Sequence, residues 1–260
     1  MKIKIGVIGC LGKMGKAVIT ELMINKKAEL KCAVASSNSE YINLDVGRAV
    51  GYSDYGIKIT SSIYDLFVIS DVVIDFTNRE CTLECLKIAS KLGKPLLSGT
   101  TGIEDINLNH YAACTPILWS ANMSIGINVL FKLVEQAAEF LGSEYDVEIF
   151  EMHHNTKKDS PSGTAIEFGK IISNTLNKVD SKTNRYLGDN FSNTKQNVGF
   201  VVSRGGGVIG DHSVMFLGRD ERIELHHKAI SRDVFAKGAV RAAMWLYKKP
   251  AGLYSMQDII

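Results

Sequence analysis

The chain has 260 residues, 45% of them hydrophobic and 22% charged, with a formal net charge of +2. Those proportions describe an ordinary globular protein of one large or two modest domains, and without a long basic block they argue against nucleic acid or an anionic membrane as partner. No apolar run reaches the ~18 residues that a membrane span needs, and Met1–Ile5 lacks the layout of a signal peptide.

Ile3–Ile8 is a short apolar run that predicts a buried strand, and Lys13–Ile24 has a helical pattern. Between them stands Gly9-Cys10-Leu11-Gly12-Lys13-Met14-Gly15. Glycines three apart, after a strand and before a helix, predict a dinucleotide-binding turn. The chain bends sharply there, and a pyrophosphate must approach backbone that carries no Cβ. The helix start adds N–H groups and partial positive charge for the phosphates.

A second strand is predicted over Leu30–Ala35. At the end of such a strand an acid binds the ribose 2′-hydroxyl of NAD, and an arginine favours the 2′-phosphate of NADP. Here stand Ala35-Ser36-Ser37-Asn38. No carboxylate repels a 2′-phosphate, three small polar side chains could bond it, and Lys13 lies on the neighbouring turn. This reading favours NADPH and tolerates NADH; a plain polar loop explains the same residues. The stretch 36–56 has no clear period and reads as loop with one helical turn.

A third buried strand is predicted at Val72–Phe76, then a helix over Glu80–Leu92 and short strands at Pro95–Leu97 and Ile117–Trp119. Strand and helix in alternation predict a mostly parallel sheet covered on both faces. Asp75-Phe76-Thr77 and Gly99-Thr100-Thr101-Gly102 follow two of these strands, where the ligand crevice of an open parallel sheet lies. The small residues at 99–102 would let a nicotinamide ribose lie against the backbone; either stretch also reads as a capping turn. The five cysteines, at 10, 32, 81, 85 and 114, read as reduced packing thiols, which fits a cytosolic compartment. Cys81 and Cys85 are one helical turn apart with no second ligand pair, so no zinc site is expected.

The pattern changes near residue 122. Ser124–Leu141 is a long amphipathic helix, with Ile127, Leu130, Phe131, Val134, Ala138 and Leu141 in one stripe. Tyr145–Met152 reads as a strand and Ser162–Leu176 as a helix. Residues 177–196 read as a polar surface loop. Strands follow at Val198–Val202, His212–Leu217 and Glu221–Ala229, and Asp233–Leu246 is the last helix. Strands joined by short glycine-rich turns predict an antiparallel or mixed sheet in a second domain.

The run His153-His154-Asn155-Thr156-Lys157-Lys158-Asp159-Ser160-Pro161-Ser162-Gly163-Thr164 gathers imidazoles and ammonium groups just before a helix start. Neighbouring residues on an extended strand point to opposite faces, so His153 and His154 would not share a metal ion, and no glutamate or cysteine is read at useful ligand spacing. Proton transfer and anion binding explain more. Histidine titrates near neutrality, Lys157 offers a fixed positive charge, and Ser162, Gly163 and Thr164 present N–H groups to a carboxylate. A solvated basic loop before a capped helix is the plainer reading of the same residues. On the strand Glu221–Ala229, His227 reads as a hydrogen-bonded core histidine and His226 as a surface one. Arg204 reads equally as a guanidinium near a substrate or as part of a flexible glycine turn.

Taken together, the Gly9–Gly15 turn, Asp75-Phe76-Thr77, 99–102, Ala121-Asn122-Met123-Ser124 and the 153–164 run resemble the dihydrodipicolinate reductase (4-hydroxy-tetrahydrodipicolinate reductase) family over nearly the whole chain. Gly210-Asp211-His212, His227-Lys228-Ala229 and the ending Gly252–Asp258 resemble it too. The resemblance implies an α/β fold: a Rossmann-type doubly wound parallel sheet over 1–122 completed by 234–260, and a smaller α+β substrate and tetramerisation domain with a mixed sheet over 123–233. It implies a cytoplasmic homotetramer of lysine and diaminopimelate synthesis that reduces a small dicarboxylate with NAD(P)H and holds no metal. By motif, His153 is the general acid and Lys157 assists it; His154, Ser162, Gly163 and Thr164 bind substrate carboxylates. Gly9, Cys10, Leu11, Gly12, Lys13, Met14, Ser36, Asp75, Phe76, Thr77, Gly99, Thr100, Thr101, Ser120, Ala121, Asn122 and Met123 line the coenzyme. Two features depart from the family: Ala35 and Ser36 stand where members often carry an acid and an arginine, and the loop at 177–196 is shorter and less basic. A catalytically silent dinucleotide sensor, or a reductase of another imine, are the competing readings; a sensor needs no proton donor.

Overall fold

In a computed structural model of the chain, residues 1–176 and 198–260 are described, and the loop expected over 177–196 lies outside them. In chain order the elements are β1 (Ile3–Ile8), α1 (Lys13–Ile24), β2 (Ala28–Val34), α2 (Val46–Ala49), β3 (Ile59–Thr60), α3 (Ile63–Ile69), β4 (Val72–Asp75), α4 (Arg79–Leu92), β5 (Leu96–Ser98), α5 (Leu108–Ala112) and β6 (Pro116–Trp119). Then come α6 (Ile125–Leu141), β7 (Asp146–His153), α7 (Gly163–Leu176), β8 (Val198–Arg204), β9 (Gly210–Leu217), β10 (Arg222–Ala229), α8 (Asp233–Leu246) and β11 (Gly252–Tyr254). They form two units: Met1–Ile125 with Arg232–Ile260, and Gly126–Ser231.

The first unit holds a seven-stranded sheet in the order β11-β6-β5-β4-β1-β2-β3, parallel throughout. This is the Rossmann arrangement, and the strand order reverses between β1 and β4, where such a sheet opens its ligand crevice. Buried Val18, Ile19 and Leu22 recur at helical spacing on α1 and dock it on the sheet. The last helix belongs here too. Its small residues Ala236, Ala239, Ala242 and Ala243 are buried in the same core, and a Cβ on Gly238 would meet the Met123 carbonyl oxygen at 1.8 Å.

The second unit has a four-stranded sheet in the order β10-β9-β7-β8, with only the β7–β8 pair parallel. Along β7 burial alternates with period two: Val147, Ile149, Glu151 and His153 face inward, where the apolar ones meet α6 and α7 residues. β3, α3, α5 and β11, all short, have no counterpart among the elements expected from the sequence. Within 36–56 the expected helical turn is α2, capped by Asp45. Strand ends differ by one or two residues, and two of those differences matter. His153 is the last residue of β7 rather than part of the loop, and Arg204 ends β8 rather than lying in a glycine turn.

Candidate functional site

At the end of β1, Gly9 has φ +76°, and a Cβ there would stand 2.5 Å from the Phe76 carbonyl oxygen. Gly15 carries the second constraint: its Cβ would lie 2.1 Å from the Gly9 carbonyl oxygen, so α1 packs directly on the turn. Gly12 needs no special backbone angle. It is the N-cap of α1, with φ −69° and no side-chain cap, and the first turn carries no acid. The opening amides of α1 are thus left to an anion.

A cavity of about 390 Å³ opens beside this turn, lined by Gly9, Ala35, Ser36, Ser37, Ser61, Thr77, Asn78, Cys81 and Glu84 among others. These are the ends of β1, β2 and β4 and the first turns of α4, so the turn and the β2 terminus face one space. Lys13 is exposed and does not line it; no lysine or arginine does. The one carboxylate among the lining residues is Glu84, from α4.

Several expected coenzyme contacts turn out to be supports. Asp75 is fully buried, and its carboxylate accepts hydrogen bonds from the hydroxyls of Thr77 (2.6 Å), Thr82 (2.6 Å), Ser98 (2.9 Å) and Thr100 (3.3 Å). It ties the β4 and β5 exits and α4 together and touches no open space. At Gly99 a Cβ would lie 2.1 Å from the Phe76 ring, so the ring packs directly on that backbone. The Cys10 thiol points into the core, where burial pushes it up to about 12, and the Met123 side chain is also in that core. Thr101 and Ala121 are exposed; Ser120 Oγ donates to the Asn122 carbonyl oxygen at 3.0 Å.

In the second unit, His153 and Glu151 share the inward face of β7, and His212 enters beside them from β9, registered opposite Glu151. Period-two alternation makes this legible: a glutamate two residues before a histidine on a strand shares its face. The expectation that no glutamate stands near His153 is thereby corrected. Glu151 is 1% exposed. It accepts the Ser162 N–H at 3.1 and 3.2 Å and an Arg204 N–H at 3.2 Å, and it lies 3.5 Å from His153 Nδ1 and 3.7 Å from His212 Nε2. The His153 and His212 rings meet edge to face at 5.1 Å. Glu151, His153 and His212 have the composition of a metal triad. The Arg204 guanidinium already supplies the positive charge that the carboxylate needs, and it repels a cation.

Burial pushes the His153 imidazole below its usual range; Lys157 and Arg204 add to this, and Glu151 and Asp159 oppose it. His212 is driven down to about 3 by burial and by His153, His227 and Lys157. His227, opposite His212 on β10, is half-buried and lowered by burial. His154 is half-buried, its Nδ1 2.7 Å from the Thr156 hydroxyl, and Lys157 is paired with Asp159 at 2.8 Å. Ser162 caps α7, its hydroxyl accepting the Ala165 N–H at 3.2 Å. Its own N–H goes to Glu151, so it is not a free amide for a substrate. Exposed Gly163 and half-buried Thr164 begin the helix beside it. Sequence reasoning missed Glu151 and His212 and left Arg204 undecided. A buried acid two residues before a histidine was the available signal for Glu151; His212 stood out only as part of the family-like segment 210–212, with no role attached.

The chain matches two family models: "Dihydrodipicolinate reductase, N-terminus" over residues 3–123 and "Dihydrodipicolinate reductase, C-terminus" over 126–260. It is 64% identical over 263 residues to a 4-hydroxy-tetrahydrodipicolinate reductase of Wolbachia pipientis subsp. Culex pipiens (strain wPip), with 100% of both chains covered. It is 47% identical to the enzyme of that name from Anaplasma marginale (strain St. Maries), with 99% of each covered. Among solved structures, a dipicolinate-bound dihydrodipicolinate reductase from Paenisporosarcina sp. TG-14 superposes over 100% of both chains with a TM-score of 0.78 at 22% identity. An amine dehydrogenase from Mycobacterium smegmatis shares the fold at 0.72 and 12% identity, covering 99% of this chain and 96% of its own.

Proposed function

The chain belongs to the dihydrodipicolinate reductase family, and on that premise we propose that it reduces 4-hydroxy-tetrahydrodipicolinate to tetrahydrodipicolinate with NAD(P)H. The Gly9 turn, the uncapped start of α1 and the adjoining cavity fit a dinucleotide in the first unit. When bound, the nicotinamide supplies a hydride to C4 of the ring formed after water loss. His153 delivers the proton that C3 then needs, and Lys157 stabilises the negative charge that develops. The amides of Gly163 and Thr164, with His154, hold the carboxylates.

The observation that carries this reading is the state of His153. Burial holds this imidazole below its ordinary range in the ligand-free protein, so its charged form is disfavoured there. A dianionic substrate brings two negative charges toward it and favours its protonated form, so the acid is made when there is something to protonate. The same proposal extends to NADH over NADPH, because Glu84 and no cation lines the cavity at the β2 terminus. It includes lysine and diaminopimelate synthesis as the setting, and assembly of a homotetramer through the outer face of the mixed sheet. On that face Phe150, Met152 and Met215 stay half-buried and Val201 exposed. Among the described residues no helix is long and apolar enough to cross a membrane.

The test is oxidation of NADH and NADPH with freshly made substrate, comparing wild type with His153→Ala and Lys157→Ala. Both variants are expected to lose about 100-fold or more in kcat while coenzyme affinity stays near wild type. Full activity in the double variant would overturn the assignment.

A further inference from the structure

The His153 imidazole has two ring nitrogens in different surroundings. Nδ1 is sealed from solvent, has no hydrogen-bond partner, and faces one acceptor, Glu151 Oε2 at 3.5 Å. Nε2 lies on the edge facing Gly210, where a Cβ would stand 3.1 Å away, and no hydrogen bond among the described residues reaches it. The two oxygens of Glu151 have separate surroundings as well. Oε1 takes the Arg204 N–H, while Oε2 looks toward His153 Nδ1 and His212 Nε2; the Ser162 N–H is shared between the two oxygens. A buried carboxylate held on one side by a guanidinium and a helix-cap amide cannot turn away from the histidines. A buried ring nitrogen with no partner is costly unless it serves another state of the protein.

We propose that Glu151 is a positioning residue: its Oε2 selects the His153 tautomer with hydrogen on Nδ1 and takes that hydrogen bond when the ring charges, so that Nε2 is the atom that gives up the proton. This rests on the reading of His153 as the acid of the reaction. A histidine's working nitrogen is set by the bond its other nitrogen makes. The shortening needed, from 3.5 Å to an ordinary N–H···O distance, is a few tenths of an ångström. The charged groups facing His153 are Glu151 on its own strand, Lys157 and Asp159 in the following loop, Arg204 on β8 and His212 on β9. From α7 it is Ser162 that reaches this cluster, through its N–H to Glu151. Glu151 is the strongest influence that favours the charged ring against burial. Removing its charge makes protonation harder.

Nitrogen-15 NMR of histidine-labelled protein, without substrate, reads the tautomer directly. Wild-type His153 is expected as the Nδ1–H form. In Glu151→Gln that preference is lost, and the ring titrates about one pH unit lower. The alkaline limb of kcat/KM moves down with it, so the rate at pH 7.5 falls about tenfold with the KM for coenzyme unchanged. Glu151→Asp, which keeps the carboxylate, restores the limb. A merely structural glutamate would lower activity without moving the limb. An Nε2–H form in the wild type, or an unmoved limb in Glu151→Gln, would overturn the proposal, and the wild-type measurement decides even if the variant does not fold. An Nδ1–H ring together with a fully active His153→Ala enzyme would sink the reading of the reaction and leave the placement of the ring standing.

Discussion

At the end of β2, Ser36 and Ser37 share a cavity wall with Glu84 of α4. Sequence position alone puts Glu84 far from Ser36, on a helix that follows another strand, so residues 35–38 by themselves do not reveal the acid that shares their cavity. Coulomb repulsion acts through space: a carboxylate from α4 opposes a 2′-phosphate as well as one from β2. Glu84→Lys is therefore expected to move the ratio of kcat/KM for NADH over NADPH toward NADPH by about tenfold. Steady-state kinetics with both coenzymes check it, and an unchanged ratio would mean that the ribose lies elsewhere. The same distinction separates glycines that the motif treats alike. Gly9 needs its positive φ, Gly15 needs the absence of a Cβ, and Gly99 makes room for the Phe76 ring. Only the first follows from the turn itself; the other two depend on what packs against them.

The mixed sheet shows why single residues there answer to whole strands. β9 runs between β7 and β10, so His212 stands between the histidines of both neighbours and under the helices as well. Its imidazole is held neutral, down to about 3, against an unfolded value of about 6.5. Because the unfolded chain takes up the proton first, stability is complete above about pH 6.5 and falls as the pH drops below it, by about 1.4 kcal/mol per unit for this one group. His153 and His227 act in the same direction. Urea unfolding at pH 6.5 and 5.0 is expected to show a loss of about 2 kcal/mol from His212, and His212→Gln should make the dependence shallower by that amount. An equally steep variant would mean that the proton goes elsewhere. The periodicity of β7 and β10 was readable along the chain. The pairing that sets His212 opposite both Glu151 and His227 was not, since register between strands distant in sequence leaves no local mark.

For the whole molecule, the first unit is closed by the end of the chain. Val240 and Leu246 of α8 are at most 1% exposed and pack in the core of α1 and the parallel sheet, and β11 pairs with β6. Burying two such side chains is worth about 4 kcal/mol, a large share of the roughly 5–15 kcal/mol that holds a domain together. A chain ending at Ser231 is thus expected to lose coenzyme binding and cooperative unfolding of the first unit, read by NADH fluorescence titration and thermal melting. Retained NADH affinity would show that α8 and β11 are dispensable. Local pattern determined the alternation of strands and helices, the dinucleotide turn and the run from His153 to Thr164, because hydrophobic period and turn chemistry are properties of neighbouring residues. The tertiary structure alone decided that Asp75 is a buried clamp, that Glu84 lines the cavity beside the Gly9 turn, and that Glu151, Arg204 and His212 surround His153. Those facts depend on which distant segments meet, and long-range packing, not local propensity, chooses the neighbours of a buried charge.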